Sequence, residues 1–121
     1  MNSPSTRGRR ILVVEDEYLL ASALAEWLEL MDMSVVGPAA SIADALSLIA
    51  RENIDFAIVD VNLRGTMSFP VAEALAARGV PFVFASGYGD ASLLERFPGA
   101  VTCRKPYDLR QLEAAILAAP I

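Results

Sequence analysis

Asp60 closes the apolar run Phe56-Ala57-Ile58-Val59. That run reads as a buried strand, so a carboxylate stands where a strand meets its loop. Two other strand-like runs end in related chemistry: Ile11-Leu12-Val13-Val14 leads into Glu15-Asp16, and Val101-Thr102-Cys103 leads through Arg104 to Lys105-Pro106. Three acids and a lysine, just past the ends of three strands, would meet on one edge of a parallel sheet. Such an edge suits a metal ion and a phosphoryl group. Three carboxylates in one cleft repel, since two unit charges about 4 Å apart cost roughly 4 kcal/mol at an effective dielectric of about 20. They need protons or a cation, and Mg²⁺ takes one or two carboxylates, waters and phosphate oxygens. Taken alone, Glu15 and Asp16 could equally cap the helix that begins near Glu17, where the dipole favours negative charge. Asp60 is needed for no cap. Lys105 would bring an ammonium to the same edge. Ser86, after another strand, would bring a hydroxyl within reach of a phosphoryl oxygen. Standing alone, the two would read as a solvated lysine and a turn former.

The elements that must position these groups follow from periodicity. Residues 11–14 form a short apolar run, as in a strand buried on both faces. Residues 17–31 have helical spacing, with Leu20, Leu24, Trp27, Leu28 and Met31 on one stripe. A brief strand over 34–36 should stop at Gly37-Pro38. Ser41 is placed to cap a helix whose stripe is Ile42, Ala45, Leu46 and Ile49. After the strand ending at Asp60, a polar loop spans 61–69. Pro70 suits the first turn of a helix over 71–78 that Gly79 ends. A strand over 82–85 leads to the glycine-rich turn Ser86-Gly87-Tyr88-Gly89, and a short helix over about 90–96 ends before Pro98-Gly99. A fifth strand over 100–103 precedes a helix capped by Asp108, with Leu109, Leu112, Ile116 and Ala119 as its stripe. Five βα units imply an α/β fold, a doubly wound parallel (βα)5 sheet of flavodoxin-like order 2-1-3-4-5. In that order the first and third strands flank the switch point where ligands bind, and they carry Glu15, Asp16 and Asp60.

The whole chain narrows the options. Its 121 residues suffice for one domain that buries roughly two-thirds of its unfolded surface. Although 55% of residues are hydrophobic, the apolar stretches fall far short of the ~20 a membrane helix needs. Residues 1–10 lack the apolar segment of a signal peptide. Cys103 is the single cysteine, so no internal disulfide can form, and a cytoplasmic location fits. A net charge of −5 argues against nucleic-acid binding. Arg7, Arg9 and Arg10 form a small basic cluster at the start that reads as solvated and mobile; the tail is placed over 1–9 and the domain over 10–121. With no histidine there is no Ser-His-Asp triad and no His-based zinc site. Cys103 and Trp27 belong to apolar stretches and are expected in the core. Arg64, in the loop after Asp60, is expected to be solvated.

Glu15-Asp16 after the first strand, Asp60 after the third, Ser86 after the fourth and Lys105-Pro106 after the fifth resemble the bacterial two-component response-regulator receiver domain, the CheY-like fold. The likeness spans about residues 10–119. Phe84-Ala85-Ser86-Gly87-Tyr88 is also similar to the Phe-Ala-Thr-Gly-Tyr (FAT GUY) segment of one subfamily of single-domain receivers, with Ser in place of Thr. The resemblance implies that Asp60 accepts a phosphoryl group from a histidine kinase or a phosphotransfer protein. It implies that Asp16 and Asp60 ligate Mg²⁺, with Glu15 acting through water and Asn62 through its backbone carbonyl. It further implies that Lys105 pairs with the acyl phosphate, that its bond to Pro106 is cis, and that Ser86 swings toward the phosphoryl oxygens. Many receivers carry an aromatic residue where this chain has Thr102, and Tyr88 is the candidate to replace it. The expected protein is a stand-alone phosphorylation switch, not a turnover enzyme. It would act on a protein partner through the face of the fourth helix, fifth strand and fifth helix. The alternatives are a small Asp-nucleophile phosphatase, suggested by Asp60-Val61-Asn62, and a degenerate receiver acting by binding alone.

Overall fold

The structure, a computed structural model, describes residues 6–86, 96–97 and 100–119. Its centre is a five-stranded parallel sheet of β1 (Arg10–Val14), β2 (Ser34–Ala39), β3 (Phe56–Asp60), β6 (Phe82–Ser86) and β7 (Thr102–Arg104), in the order β2-β1-β3-β6-β7. Helices α1 (Tyr18–Leu30), α2 (Ile42–Arg51), α3 (Phe69–Ala77) and α4 (Leu109–Ala118) cover it. Counting only the strands of this sheet, the order is 2-1-3-4-5, the expected flavodoxin-like topology. The expected turn Gly87–Gly89, including Tyr88, and most of the helix expected over 90–96 lie outside the described residues.

Both faces of the sheet are buried, so its inner strands are apolar throughout rather than alternating with polar residues. The side chains nevertheless alternate between two cores. Leu12, Val14, Ala57, Val59 and Phe84 pack under α2 and α3, while Ile11, Val13, Phe56, Ile58, Val83 and Ala85 pack under α1 and α4. Cys103 joins the second layer, and Trp27 packs against it from α1. Phe84 meets the ring edges of Phe69 and Phe97 in the first.

Three expectations need correction. β2 does not stop at Gly37-Pro38 but runs on to Ala39. Gly37 has φ +93° and lets one extra residue bulge out, shifting the pairing from Leu12 with Val36 to Val14 with Ala39. As an edge strand, β2 tolerates Pro38, which has no N–H to donate. The loop over 61–69 contains a two-stranded antiparallel ribbon, β4 (Asn62–Leu63) with β5 (Thr66–Met67). Arg64 and Gly65 turn it with φ of 53° and 84°, the left-handed pair that a two-residue hairpin favours. Leu46 and Leu109, assigned to apolar stripes, are exposed at the margins, and Leu48 packs in the first core instead.

Both predicted helix caps form. Ser41 Oγ accepts from Asp44 N at 3.1 Å, and Asp108 Oδ1 accepts from Arg110 N and Gln111 N. Residues 6–9, read from sequence as tail, bond to the domain: Thr6 Oγ1 donates to Met31 O, Gly8 N to Asp32 O, and the Arg9 guanidinium to Ile116 O. Among the described residues no helix is long and apolar enough to cross a membrane.

Candidate functional site

Strand parity assembles the site. On β3, Phe56 and Ile58 face the α1/α4 layer, and so does the next residue of the same parity, Asp60. On β1, Ile11 and Val13 lead in the same way to Glu15, and Cys103 leads to Lys105. β1 and β3 pair Val14 with Val59, so one further step sets Glu15 beside Asp60. Lys105 N donates to Ser86 O at 3.0 Å, which extends the β6–β7 ladder and fixes the lysine backbone at the same rim.

The side chains converge. Lys105 Nζ lies 2.9 Å from Asp60 Oδ2 and 3.0 Å from Glu15 Oε1. Glu15 and Asp60 are buried, at 2% and 4% exposure. Glu15, Asp16 and Asp60 each offer one carboxylate oxygen within 4.8 Å of the others. Two buried acids, one half-buried acid and one ammonium leave an excess of negative charge. The donor set is all oxygen, which is what a hard divalent cation takes, so these residues fit such an ion.

The surrounding backbone aims the acids. Asn62 N donates to Asp60 Oδ1 at 3.1 Å, and Glu17 N donates to Glu15 Oε2 at 3.1 Å. Asp16 Oδ2 accepts from Arg64 N at 2.9 Å, tying the first loop to the ribbon's turn. Asn62 Oδ1 accepts from Gly65 N at 2.8 Å and closes that turn. The Arg64 residue itself is exposed. Ser86 ends β6 half-buried, and the Lys105–Pro106 peptide is cis. Thr102 opens β7, pairs with Phe84, and accepts on its carbonyl from Gln111 Nε2. Tyr88 is outside the described residues.

Two residues that sequence reasoning passed over belong to the network. The Tyr107 hydroxyl donates to Glu15 Oε1 at 2.7 Å. The available signal was a phenol two residues beyond Lys105. Ser68 is fully buried, and its hydroxyl donates to Asp60 O at 2.6 Å. It is the N-cap residue of α3 but makes no side-chain cap bond, and instead braces the acid-bearing turn. No periodicity marks such a residue.

Electrostatics follow from burial. Desolvation pushes the Asp60 carboxyl up from 3.8 to about 6, against the pull of Lys105 and of the Asn62 amide; the Glu15 charge adds to the rise. Burial works against the Lys105 ammonium, but Asp60 and Glu15 together outweigh it and raise its pKa. Burial, then the bond to Glu15, holds the Tyr107 phenol far above its ordinary value, so it remains a donor. Burial, with a smaller push from Asp108, raises the Cys103 thiol to about 11, which makes it a core residue rather than a reactive one.

This rim belongs to a known class. The chain is a member of the response regulator receiver domain family, whose model matches residues 11–117. Its signalling class is therefore that of response regulators. The phosphatase alternative finds no support. Among solved structures, the chain is similar to SdrG from Sphingomonas melonis Fr1, with 43% identity, a TM-score of 0.78, and coverage of 94% of this chain and 99% of that one. It is also similar to the BeF3-activated conformation of SdrG, attributed to Pseudomonas melonis Fr1, with 43% identity, a TM-score of 0.77, and coverage of 98% and 100%. A curated relative is the transcriptional regulatory protein PdtaR of Mycobacterium tuberculosis, 30% identical over 125 residues, covering 96% of this chain. The chain spans 61% of that relative's length.

Proposed function

We propose that this receiver accepts a phosphoryl group on Asp60 from the phosphohistidine of a sensor histidine kinase or phosphotransfer protein, in a Mg²⁺-dependent reaction that switches binding to a protein partner. The observation that carries this reading is the buried Asp60 carboxylate, 2.9 Å from Lys105 Nζ and within 4.8 Å of acceptor oxygens on Glu15 and Asp16. An Asp60 oxygen attacks phosphorus, the P–N bond breaks, and its electron pair stays on the donor imidazole nitrogen. When bound, Mg²⁺ would supply positive charge that offsets the acids and the phosphoryl oxygens. Asp16 and Asp60 would hold it, with Glu15 acting through water and Asn62 through its backbone carbonyl. Lys105 turns from the free carboxylate to the phosphoryl oxygens, and the Ser86 hydroxyl binds them from β6.

Positioning and charge placement suffice here, because phosphoryl transfer leaves little covalent work to the protein. The new contacts of Lys105 and Ser86 exist only in the phosphorylated state, and that difference is what shifts a two-state equilibrium. The likeness to SdrG, which has a BeF3-activated conformation, supports the same chemistry, since trifluoroberyllate mimics a phosphoryl group on a carboxylate. We place the chain with the FAT GUY receivers on its Phe84-Ala85-Ser86-Gly87-Tyr88 segment, with Tyr88 in the coupling task that Thr102 cannot perform. It acts in the cytoplasm as a binding module rather than a turnover enzyme, through the face to which β7 and α4 contribute. Incubation with acetyl phosphate tests the reading: wild type takes label only with Mg²⁺, and Asp60→Asn takes none. Labelling that survives Asp60→Asn refutes it.

A further inference from the structure

Glu15 carries more donors than any other acid of the site, and one of them has no place in the chemistry above. Oε1 accepts from the Tyr107 hydroxyl at 2.7 Å and lies 3.0 Å from Lys105 Nζ. Oε2 accepts from Lys105 Nζ at 3.1 Å and from Glu17 N at 3.1 Å. The Glu15 side chain has no exposure, so bulk solvent does not replace a donor that leaves. Lys105 is shared, since the same Nζ bonds Asp60 Oδ2 at 2.9 Å.

Resting on the phosphoryl-acceptor reading, we infer that Tyr107 is a positioning residue for Lys105, acting through Glu15. To reach a phosphoryl group on Asp60, the ammonium must loosen its hold on Glu15. A buried carboxylate stripped of its donors is costly, and a charged hydrogen bond is stronger than a neutral one. The Tyr107 hydroxyl and the Glu17 amide stay behind and keep Glu15 satisfied, so Lys105 is free to move. The Tyr107 ring packs against the α1/α4 core and Asp108 caps α4 next to it, which fixes the phenol in place. Without the hydroxyl, Glu15 holds Lys105 more tightly and presents a less compensated charge. Cations then bind better and phosphoryl groups worse.

The test is Tyr107→Phe, which keeps the ring. Mg²⁺ affinity is measured by calorimetry on the unmodified protein, and trifluoroberyllate affinity is measured at saturating Mg²⁺. The expected result is a split of opposite sign: Mg²⁺ binds on the order of threefold tighter and trifluoroberyllate on the order of tenfold weaker. In a Glu15→Gln background the same substitution should change neither, because the pathway runs through that carboxylate. A hydroxyl that only supports folding would weaken both ligands together, and that result, or no change in either, overturns the inference. Wild type that binds trifluoroberyllate through Asp60 while Tyr107→Phe matches it sinks this inference alone. Wild type that binds none, under conditions where it is folded, sinks the acceptor reading and this inference with it.

Discussion

Charged clusters stand at both ends of the sheet, and they differ in burial. At the start of β1, Arg10 N donates to Asp55 Oδ2, Arg10 Nε to Asn53 O, and Arg10 Nη2 to Glu52 Oε1 at 3.2 Å. The Arg10 and Glu52 side chains are 40% exposed, so water screens the pair. At the other end, Lys105 faces Glu15 and Asp60 with side-chain exposures of 14%, 0% and 5%. The first cluster, one arginine with two acids, is half-exposed and has a structural task. The second is buried and has too many acids for its one ammonium. A site of that kind keeps an excess of negative charge that a bound cation would offset.

The contrast sharpens first at Lys105. Replacing it with Met leaves two buried carboxylates without their cation, and losing one partner of a buried pair costs about 3–5 kcal/mol. Urea unfolding of metal-free Lys105→Met should show a loss of about 3 kcal/mol, and added Mg²⁺ should recover part of it. The next effect has the opposite sign. The folded protein holds the Asp60 proton up to about pH 6, while the unfolded chain releases it near 3.8. Folding therefore takes up a proton between those values, and metal-free stability falls as pH rises through that window. A shift of about two units sets a ceiling of about 3 kcal/mol on that loss. Asp60→Asn should thus stabilise the metal-free protein at pH 8 by about 1 kcal/mol, less than the ceiling because Lys105 loses a charged partner. The gain should vanish near pH 4, and melting in EDTA across pH 4 to 8 checks it. Smallest is Arg10→Met at the exposed end. It should cost under about 1 kcal/mol, shrink in high salt, and leave Mg²⁺ binding unchanged. A large effect there would erase the distinction between the two clusters.

How much of this was legible in the sequence depended on how each contact is encoded. Asp60, Glu15, Asp16 and Lys105 stand at the ends of apolar runs, and strand parity then carries three of them to one face. The burial of a strand marks where it ends, so the acids could be found from pattern alone. Tyr107 and Ser68 follow no period. Each is placed by a turn whose path depends on tertiary packing, and each matters through a single hydroxyl. The ribbon over 62–67 was hidden because its turn is Arg64-Gly65 rather than the Asn-Gly or Asp-Gly pairs that announce a hairpin. A Gly-Pro pair ordinarily ends a strand, but at Gly37-Pro38 an edge position and a bulge let β2 continue. Leu46 and Leu109 show the limit of helical stripes, since spacing gives a face but not where the neighbouring layer ends.

The buried carboxylate at the end of β3 is the proposed phosphoryl acceptor. Borohydride reduction of acetyl-phosphate-treated protein converts an aspartyl phosphate to homoserine, and peptide mass spectrometry then locates it. Homoserine is expected at position 60 alone and only when Mg²⁺ was present. Reduction at another acid, or equal labelling in EDTA, contradicts it.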